Sequence, residues 1–305
     1  MYRAVILDAD TMGEVDFTPI REAVSELRIF PSTDDKKLAD HIGAADLVIT
    51  NKVVIPGQVM DRLKGILVLA TGTNNIDMEA AARHGVPVLN VKNYGTDSVA
   101  QHTLMLMLSL AARLPVYQQD LKQGAWQQSD FFCLLNHSTT QLSGKTILIA
   151  GQGTLGKAVA GLAQALGMTV QFCARPGATD DQRPGFDSLL PQADVISFHC
   201  PLNEHTHHLL NEDNLAQLKT GALVVNCARG GIIDEDAALQ ALKRGQLGGL
   251  AVDVLPQEPP RQGHALLEAL DDNLNLIVTP HNAWISPQAR QKIIELTAEN
   301  IRSLG

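Results

Sequence analysis

The chain contains the segment Thr146-Ile147-Leu148-Ile149-Ala150-Gly151-Gln152-Gly153-Thr154-Leu155-Gly156, which joins an apolar run to a glycine-rich turn. The first five residues are aliphatic or β-branched, a composition typical of a strand buried on both faces. Residues 157–166 have helix-forming composition, and Gly167 stands where a helix C-cap glycine is expected. The G-x-G-x-x-G motif therefore lies between a predicted strand and a predicted helix.

That context predicts a dinucleotide site. Gly151 permits the tight turn, Gly153 allows a pyrophosphate to approach the backbone, and Gly156 lets the helix pack closely on the strand. The anion is expected at the start of the helix, where Thr154 and Leu155 present backbone amides. An ordinary glycine turn is the alternative, and the flanking strand and helix argue against it.

The end of the next strand selects the cofactor. Residues 169–173 predict that strand, and NAD-binding folds place an acidic residue near its end for the ribose hydroxyls. This chain has Ala174 and Arg175 instead. With no carboxylate to repel a 2′-phosphate and a guanidinium suited to bind one, we predict NADP rather than NAD as the preferred cofactor. Alternatively, Arg175 is a solvated loop residue.

Composition limits the other possibilities. A chain of 305 residues is long enough for two domains, and 45% hydrophobic with 19% charged residues is a globular composition. The net charge of −9 argues against nucleic acid or an anionic membrane as a partner. Four cysteines without C-x-x-C spacing, and a start without a signal-peptide pattern, predict a reducing, cytoplasmic location.

The first part of the chain alternates short apolar runs with helical stretches, which predicts a parallel sheet with helices on both faces. Strands are expected at residues 4–7, 27–30, 47–50, 66–70 and 87–90, and helices at residues 32–43 and 78–84. Two loops after these strands are candidate substrate-binding elements, because small polar residues and glycine can present bare amides to a carboxylate. They contain Asn51, Lys52, Thr71, Gly72 and Thr73; plain turns are the alternative.

Residues 99–113 predict a helix that is apolar on all sides, with Asp97 or Ser98 as its N-cap. Such a helix would lie between domains or in a subunit contact. Residues 115–141 have an irregular pattern with Trp126 and residues 131–135 as apolar anchors, and we expect this segment to pack against a second subunit.

Further strands are predicted at residues 195–198, 223–227, 250–254 and 276–279, which completes a sheet of about six strands. We therefore predict an α/β protein with two doubly wound parallel-sheet domains. One is a Rossmann dinucleotide-binding domain at residues 99–284. The other is a flavodoxin-like, discontinuous substrate domain at residues 1–98 and 285–305, closed by a helix at residues 286–304.

Three polar residues lie just past later strands: Arg229, Glu258 and His281. The carboxyl ends of parallel strands meet at one edge of a sheet, so these side chains are expected to converge. Histidine is suited to give a proton to a carbonyl oxygen, a carboxylate beside it stabilises the imidazolium, and arginine binds and polarises a 2-oxo acid. A surface cation, a solvated carboxylate and a helix cap are the respective alternatives.

No metal site is expected, because His205, His207 and His208 lie in a polar loop without a carboxylate or thiolate partner. The absence of G-x-S-x-G and H-E-x-x-H motifs gives a hydrolase little support.

Several ordered motifs resemble the D-isomer-specific 2-hydroxyacid dehydrogenases, in particular their glycerate dehydrogenase and hydroxypyruvate reductase branch. Beside the glycine turn, they are Ala70-Thr71-Gly72-Thr73-Asn74-Asn75-Ile76-Asp77, Ser98-Val99-Ala100-Gln101-His102-Thr103, Asn226-Cys227-Ala228-Arg229-Gly230-Gly231-Ile232-Ile233-Asp234, Asp253-Val254 with Glu258-Pro259-Pro260, and Thr279-Pro280-His281.

The resemblance implies that Arg229 binds substrate, that Glu258 partners the histidine, and that His281 donates the proton in reduction. It implies carboxylate binding by amides around residues 71–73, and a homodimer with the segment after Ser98 at the contact. It also implies cofactor contacts after the later strands, at Cys200, Pro201, Cys227, Ala228 and Asp253.

The expected reaction is reduction of hydroxypyruvate, and of glyoxylate, by NADPH or NADH. Ala174 departs from the NAD-specific members and resembles the NADP-using reductases. A related D-2-hydroxyacid or phosphite dehydrogenase remains an alternative, and so does a nucleotide-sensing binding protein on the same fold. Such sensors dock partners through extra surfaces and tails, and no tail is expected beyond Gly305. A formate dehydrogenase is disfavoured, because those relatives carry Gln in place of Glu258.

Overall fold

The computed structural model describes all residues, 1–305, and divides into two compact units. The first comprises Met1–Gly95 and Ile285–Gly305, and the second comprises Thr96–Trp284. Each unit holds one parallel sheet, as the alternating pattern predicted.

The first unit is a five-stranded sheet with the order β2-β1-β3-β4-β5. Its strands are β1 (Arg3–Ile6), β2 (Glu26–Ile29), β3 (Leu47–Thr50), β4 (Gly65–Val68) and β5 (Val88–Asn90). Its helices are α1 (Thr18–Arg21), α2 (Leu38–Ile42), α3 (Met78–His84) and, from the end of the chain, α11 (Pro287–Ser303), with short 3₁₀ turns at Ala9–Met12 and Gly57–Val59. The long helix α11 packs on β4, β5 and α1. The flavodoxin-like order is confirmed.

The second unit is a six-stranded sheet with the order β11-β10-β9-β8-β6-β7. Its strands are β6 (Thr146–Ala150), β7 (Thr169–Phe172), β8 (Val195–Phe198), β9 (Ala222–Asn226), β10 (Leu247–Val252) and β11 (Leu276–Val278). Its helices are α4 (Thr96–Ala111), α5 (Leu114–Lys122), α6 (Thr154–Ala165), α7 (Phe186–Leu189), α8 (Glu212–Leu215), α9 (Glu235–Lys243) and α10 (Ala265–Glu268), with 3₁₀ turns at Leu190–Gln192 and Ala269–Asp271.

The chain order reverses on either side of β6, because β7 lies on one side of it and β8 on the other. Such a switch point opens a crevice at the carboxyl ends of the strands. On one side of β6 the sheet has a single strand, β7, and on the other side it has β8, β9, β10 and β11. This order is the 2-1-3-4-5 pattern with one further strand, β11, at the end. The glycine turn follows β6 and therefore lies at the switch point.

Two predictions for the helices of the second unit were wrong. Helix α4 begins at Thr96, so Asp97 and Ser98 lie in its first turn and neither is the N-cap. Part of the supposedly irregular segment is helix α5, with Pro115 in its first turn, where a missing N–H costs nothing.

Helix α4 packs mainly on α6 and β9, with Leu106 and Leu110 fully buried. Met105 and Leu108 on the same helix are about 40% exposed, so burial is not complete all round. No single helix has the length and apolar content needed to cross a bilayer; α4 and α5 meet that criterion only as a pair bent by 59°.

Candidate active site

The glycine turn after β6 has the geometry of an anion cradle. Gly151 has φ of +110°, and a Cβ there would clash with the backbone of His199. A Cβ on Gly156 would overlap the carbonyl oxygen of Gly151, whereas Gly153 faces open space. Two glycines are therefore required for packing and one leaves room for a ligand.

Helix α6 begins directly after Gly153 and has no side-chain N-cap. The first-turn amides of a helix have no intrahelical acceptor, so those of Thr154 and Leu155 are available to a pyrophosphate. The residues present at this turn thus fit a dinucleotide.

The loop after β7 holds two arginine–aspartate pairs. The Arg175 guanidinium is largely exposed and lies 3.2 Å from Asp180. Arg183 binds Asp181 through both Nε and Nη2, and its Nη1 donates to Gln152 of the glycine turn at 2.7 Å. These contacts hold the pKa of the Asp181 carboxyl well below its usual range.

The loop closes back on the strand end, because Ala174 N–H donates to Pro184 and the Arg175 N–H donates to Asp181. The expectation that no carboxylate stands near this strand end was therefore wrong. Asp181 is already neutralised by Arg183, so it forms part of a fixed ion pair beside the glycine turn.

The candidate cofactor residues after β8 and β9 carry no charged side chain. Cys200, Cys227 and Ala228 are each buried, while Pro201 is exposed. Burial raises the pKa of Cys200 to about 11 and that of Cys227 to about 12. Both thiols therefore stay protonated near neutral pH.

His281 and Glu258 are in direct contact at the carboxyl edge of this sheet. The His281 Nδ1 and Glu258 Oε2 atoms are 2.5 Å apart, and the other carboxylate oxygen accepts from Leu255 N–H at 2.8 Å. Each side chain is about one-third exposed. Because Nδ1 faces the carboxylate, Nε2 is the ring nitrogen left to exchange a proton with a ligand.

Arg229 follows β9, next to the loop that carries Glu258. Strands β9, β10 and β11 are adjacent and parallel, so the segments after them emerge at one edge. A Cβ on Gly230 would clash with the backbone of Leu255, which shows how closely the two loops approach. The Arg229 guanidinium itself donates only to the Ala228 carbonyl, so it has donors left for a ligand.

Asp253, at the end of β10, is only 1% exposed. Its carboxylate accepts from the Thr279 hydroxyl and from the backbone N–H groups of Asn282 and Ala283. Its backbone carbonyl accepts from His281 N–H at 2.8 Å. In this structure Asp253 therefore anchors the segment that carries His281.

In the first unit, the loop after β3 is occupied by the chain's own carboxylate. Asp8, 3% exposed, accepts backbone bonds from Asn51, Lys52 and Val53 and is bonded by the Thr50 hydroxyl. The expectation that Asn51 and Lys52 present bare amides was therefore wrong. The Asn51 side chain retains a buried oxygen without a partner.

The loop after β4 is different. Thr71 is fixed by its hydroxyl, which donates to Val91, and by its carbonyl, which accepts from Asn90. The Thr73 carbonyl accepts from Ile76, whereas the N–H groups of Gly72 and Thr73 donate to no group of the chain. Two amides are thus available to an anion.

Sequence reasoning missed Asp8, Asp181 and Arg183. Asp8 lies two residues after the last residue of β1, so the rule applied to the other strand ends would have found it. Arg183 lies in a loop without periodicity, and only the folded loop brings it to Gln152.

A dinucleotide turn and a histidine held by a carboxylate lie on the same edge of one doubly wound sheet, an arrangement that fits a nicotinamide-dependent oxidoreductase. The chain belongs to the D-isomer specific 2-hydroxyacid dehydrogenase family, whose NAD binding domain matches residues 104–283.

Known proteins resemble the chain over nearly its whole length. A glycerate dehydrogenase of Methylorubrum extorquens is 37% identical over 88% of this chain and 85% of its own length. A hydroxypyruvate reductase of Blautia hydrogenotrophica is 32% identical over 98% and 95%. The crystal structure of TT0316 protein from Thermus thermophilus covers 99% of this chain and 96% of its own, with 29% identity and a TM-score of 0.78. The protein is thus an NAD(P)-dependent enzyme of this family acting on a small 2-oxo or 2-hydroxy acid.

Proposed function

We propose that the protein reduces hydroxypyruvate to D-glycerate, and glyoxylate to glycolate. The contact between His281 and Glu258 supports the chemistry, because it leaves one imidazole nitrogen available as a proton donor. The relatives named glycerate dehydrogenase and hydroxypyruvate reductase support this choice of substrate.

His281 transfers the proton from Nε2 to the carbonyl oxygen as that oxygen gains negative charge. Glu258 holds the ring through Nδ1 and stabilises the imidazolium before the transfer. Arg229 binds the substrate carboxylate and polarises the carbonyl. The reduced nicotinamide, when bound, supplies the hydride that adds to the carbonyl carbon.

We further propose that NADPH is preferred over NADH. Arg175 and Arg183 both lie in the loop after β7, and Arg183 is already oriented by Asp181 and Gln152. The 2′-phosphate of NADPH accepts charge-assisted hydrogen bonds from such groups. The ribose of NADH has no phosphate at this position and cannot form these bonds. Because both arginines carry aspartate partners, we expect a preference of about tenfold rather than complete exclusion of NADH.

We also propose a homodimer formed through residues 105–135. Eight of the fourteen large exposed apolar side chains of the protein lie in this stretch. They are Met105, Leu108, Leu114, Leu121, Trp126, Phe131, Phe132 and Leu135. Tyr117 and Asp120 fix the loop by bonding to residues 134–137, so the apolar side chains are presented on an ordered segment.

The function is tested with a panel of small 2-oxo acids, each assayed with NADPH and with NADH. Hydroxypyruvate should give the highest kcat/KM, and His281→Gln should lower turnover by about a hundredfold or more. His84→Gln is the matched control, because His84 forms a comparable pair with Asp61 at 3.1 Å on the first unit. Turnover within threefold of the parent for His281→Gln, or a clear preference for NADH, would refute the corresponding assignment.

A further inference from the structure

The segment that carries His281 is held by helix α4 as well as by Asp253. Ser98 and His102 are four residues apart on α4 and therefore share one helix face. The Ser98 hydroxyl donates to the Ala283 carbonyl at 2.7 Å, and His102 Nε2 lies 3.0 Å from the Thr279 hydroxyl. One face of the helix thus contacts both ends of residues 279–283.

The bonding pattern fixes the tautomer of His102. The Thr279 hydroxyl has one proton, which it donates to Asp253 Oδ1 at 2.5 Å, since an ionised carboxylate is an acceptor only. The hydroxyl oxygen can therefore only accept from His102, so Nε2 carries the proton. A continuous chain of donors runs from His102 through Thr279 to Asp253.

Asp253, which accepts the Thr279 hydroxyl, also binds the backbone around His281. Its carboxylate accepts the N–H groups of Asn282 and Ala283, and its carbonyl accepts that of His281. His281 has φ of +53°, a left-handed conformation that residues with a Cβ rarely adopt without such support. The conformation directs the imidazole to Glu258.

We propose that His102 is a positioning residue for proton transfer, acting through Thr279 and Asp253 on the backbone of His281. In this role it acts through other residues, and the role depends on His281 being the proton donor, as proposed above. The side chain is 15% exposed, and burial lowers the pKa of His102 despite the nearby Asp253 carboxylate. His102 is therefore a neutral donor at neutral pH, which the chain of bonds requires.

The test compares two substitutions. His102→Leu removes the donor, whereas His102→Gln keeps an amide N–H near the position of Nε2. We expect His102→Leu to lower kcat about tenfold or more, with KM for NADPH and for the 2-oxo acid within about twofold of the parent, because small misplacements of a catalytic group cost rate rather than binding. His102→Gln should remain within about threefold of the parent. Thr279→Val, which breaks the same chain at its second member, should match His102→Leu and serves if that variant does not fold.

A double-mutant cycle separates positioning from general destabilisation. Combining His102→Leu with His281→Gln should reduce turnover no further than about twofold below His281→Gln alone, because both changes remove one proton-transfer function. Losses that multiply would overturn the proposal, and so would full activity in His102→Leu. If His281→Gln itself retains turnover, the proposed catalytic role of His281 fails instead, so the two failures are distinguishable.

A spectroscopic readout is independent of activity. In protein labelled with ¹⁵N-histidine, the His102 ring, assigned by its loss in His102→Gln, should be the neutral Nε2–H tautomer at pH 7. The Nδ1–H tautomer or an imidazolium at that pH would overturn the proposal.

Discussion

Substitution of Asp8 is expected to lower the stability of the first unit, because this carboxylate binds a loop at the carboxyl edge of the sheet. Asp8 follows β1, and the loop it binds follows β3, so the carboxylate fills the switch point of this sheet, where such folds bind ligands. Three backbone N–H groups and one hydroxyl lie within 3.3 Å of its two oxygens. The side chain is 3% exposed, so water has little access to these donors.

The substitution Asp8→Ala removes the acceptor and leaves those donors unpaired. A buried donor that loses its partner costs about 1–3 kcal/mol, and more when the partner was charged. Some water enters the vacated volume, so we expect about 3 kcal/mol rather than the full sum for three amides. Asp8→Asn is expected to cost slightly less, about 2 kcal/mol, because its oxygen keeps some bonds while its NH₂ group faces another N–H donor.

The free energy of unfolding is measured by urea denaturation, with Asp16→Asn as the control. Asp16 is exposed and bonds mainly to Thr18 at the start of α1, so its substitution should cost well under about 1 kcal/mol. Because Asp8→Ala vacates an anion site, formate at tens of millimolar should restore part of the lost stability when sodium chloride at equal ionic strength does not. A loss below about 1 kcal/mol for Asp8→Ala, or equal rescue by chloride and formate, would refute this account of the loop.

Three further predictions concern the second unit. Arg183→Ala should lower kcat/KM for NADPH about tenfold or more and that for NADH less than threefold, measured with one 2-oxo acid, since only the phosphate uses the guanidinium; equal losses would contradict this. Burial lowers the pKa of His199 to about 3, so its neutral form contributes stability above pH 6.5 that is lost as the pH falls toward 3. Thermal denaturation of His199→Gln should therefore show a smaller loss of stability between pH 7 and pH 5 than the parent, by about 1–2 kcal/mol, and an unchanged pH dependence would contradict it. Phe131→Ser with Phe132→Ser should shift the protein toward monomer in light scattering after size exclusion, because each aromatic ring would otherwise bury about 150–200 Å²; an unchanged dimer, or a monomeric parent, would place the contact elsewhere or remove it.

The local part of the structure was predictable because its signals are short-range. The turn at residues 151–156 carries its own glycine spacing, and the strands of both sheets appear as continuous apolar runs since both faces are covered. Helix α5 was missed because its composition is mixed and Pro115 suggests a break rather than a helix start. Helix α2, at Leu38–Ile42, is also much shorter than the predicted span of residues 32–43.

The pairing of Glu258 with His281 was predictable for a different reason. Each follows a strand, β10 and β11, and sequential strands in such a sheet are usually neighbours, so the two loops had to meet. Asp181 and Arg183 had no comparable signal, because their partners are set by how a loop folds back rather than by strand order.

The buried Asp253 carboxylate determines the geometry of the exposed contact between His281 and Glu258. The contact between His281 and Glu258 is about one-third exposed, and a polar contact in that setting contributes little to stability by itself. This contact alone is therefore too weak to keep His281 in the left-handed conformation. The Asp253 carboxylate, by contrast, is buried and accepts the N–H groups of Asn282 and Ala283, and hydrogen bonds to a carboxylate are stronger in such a setting. The geometry of the exposed pair is thus set by buried groups behind it, which leaves the imidazole accessible to a ligand without making it mobile.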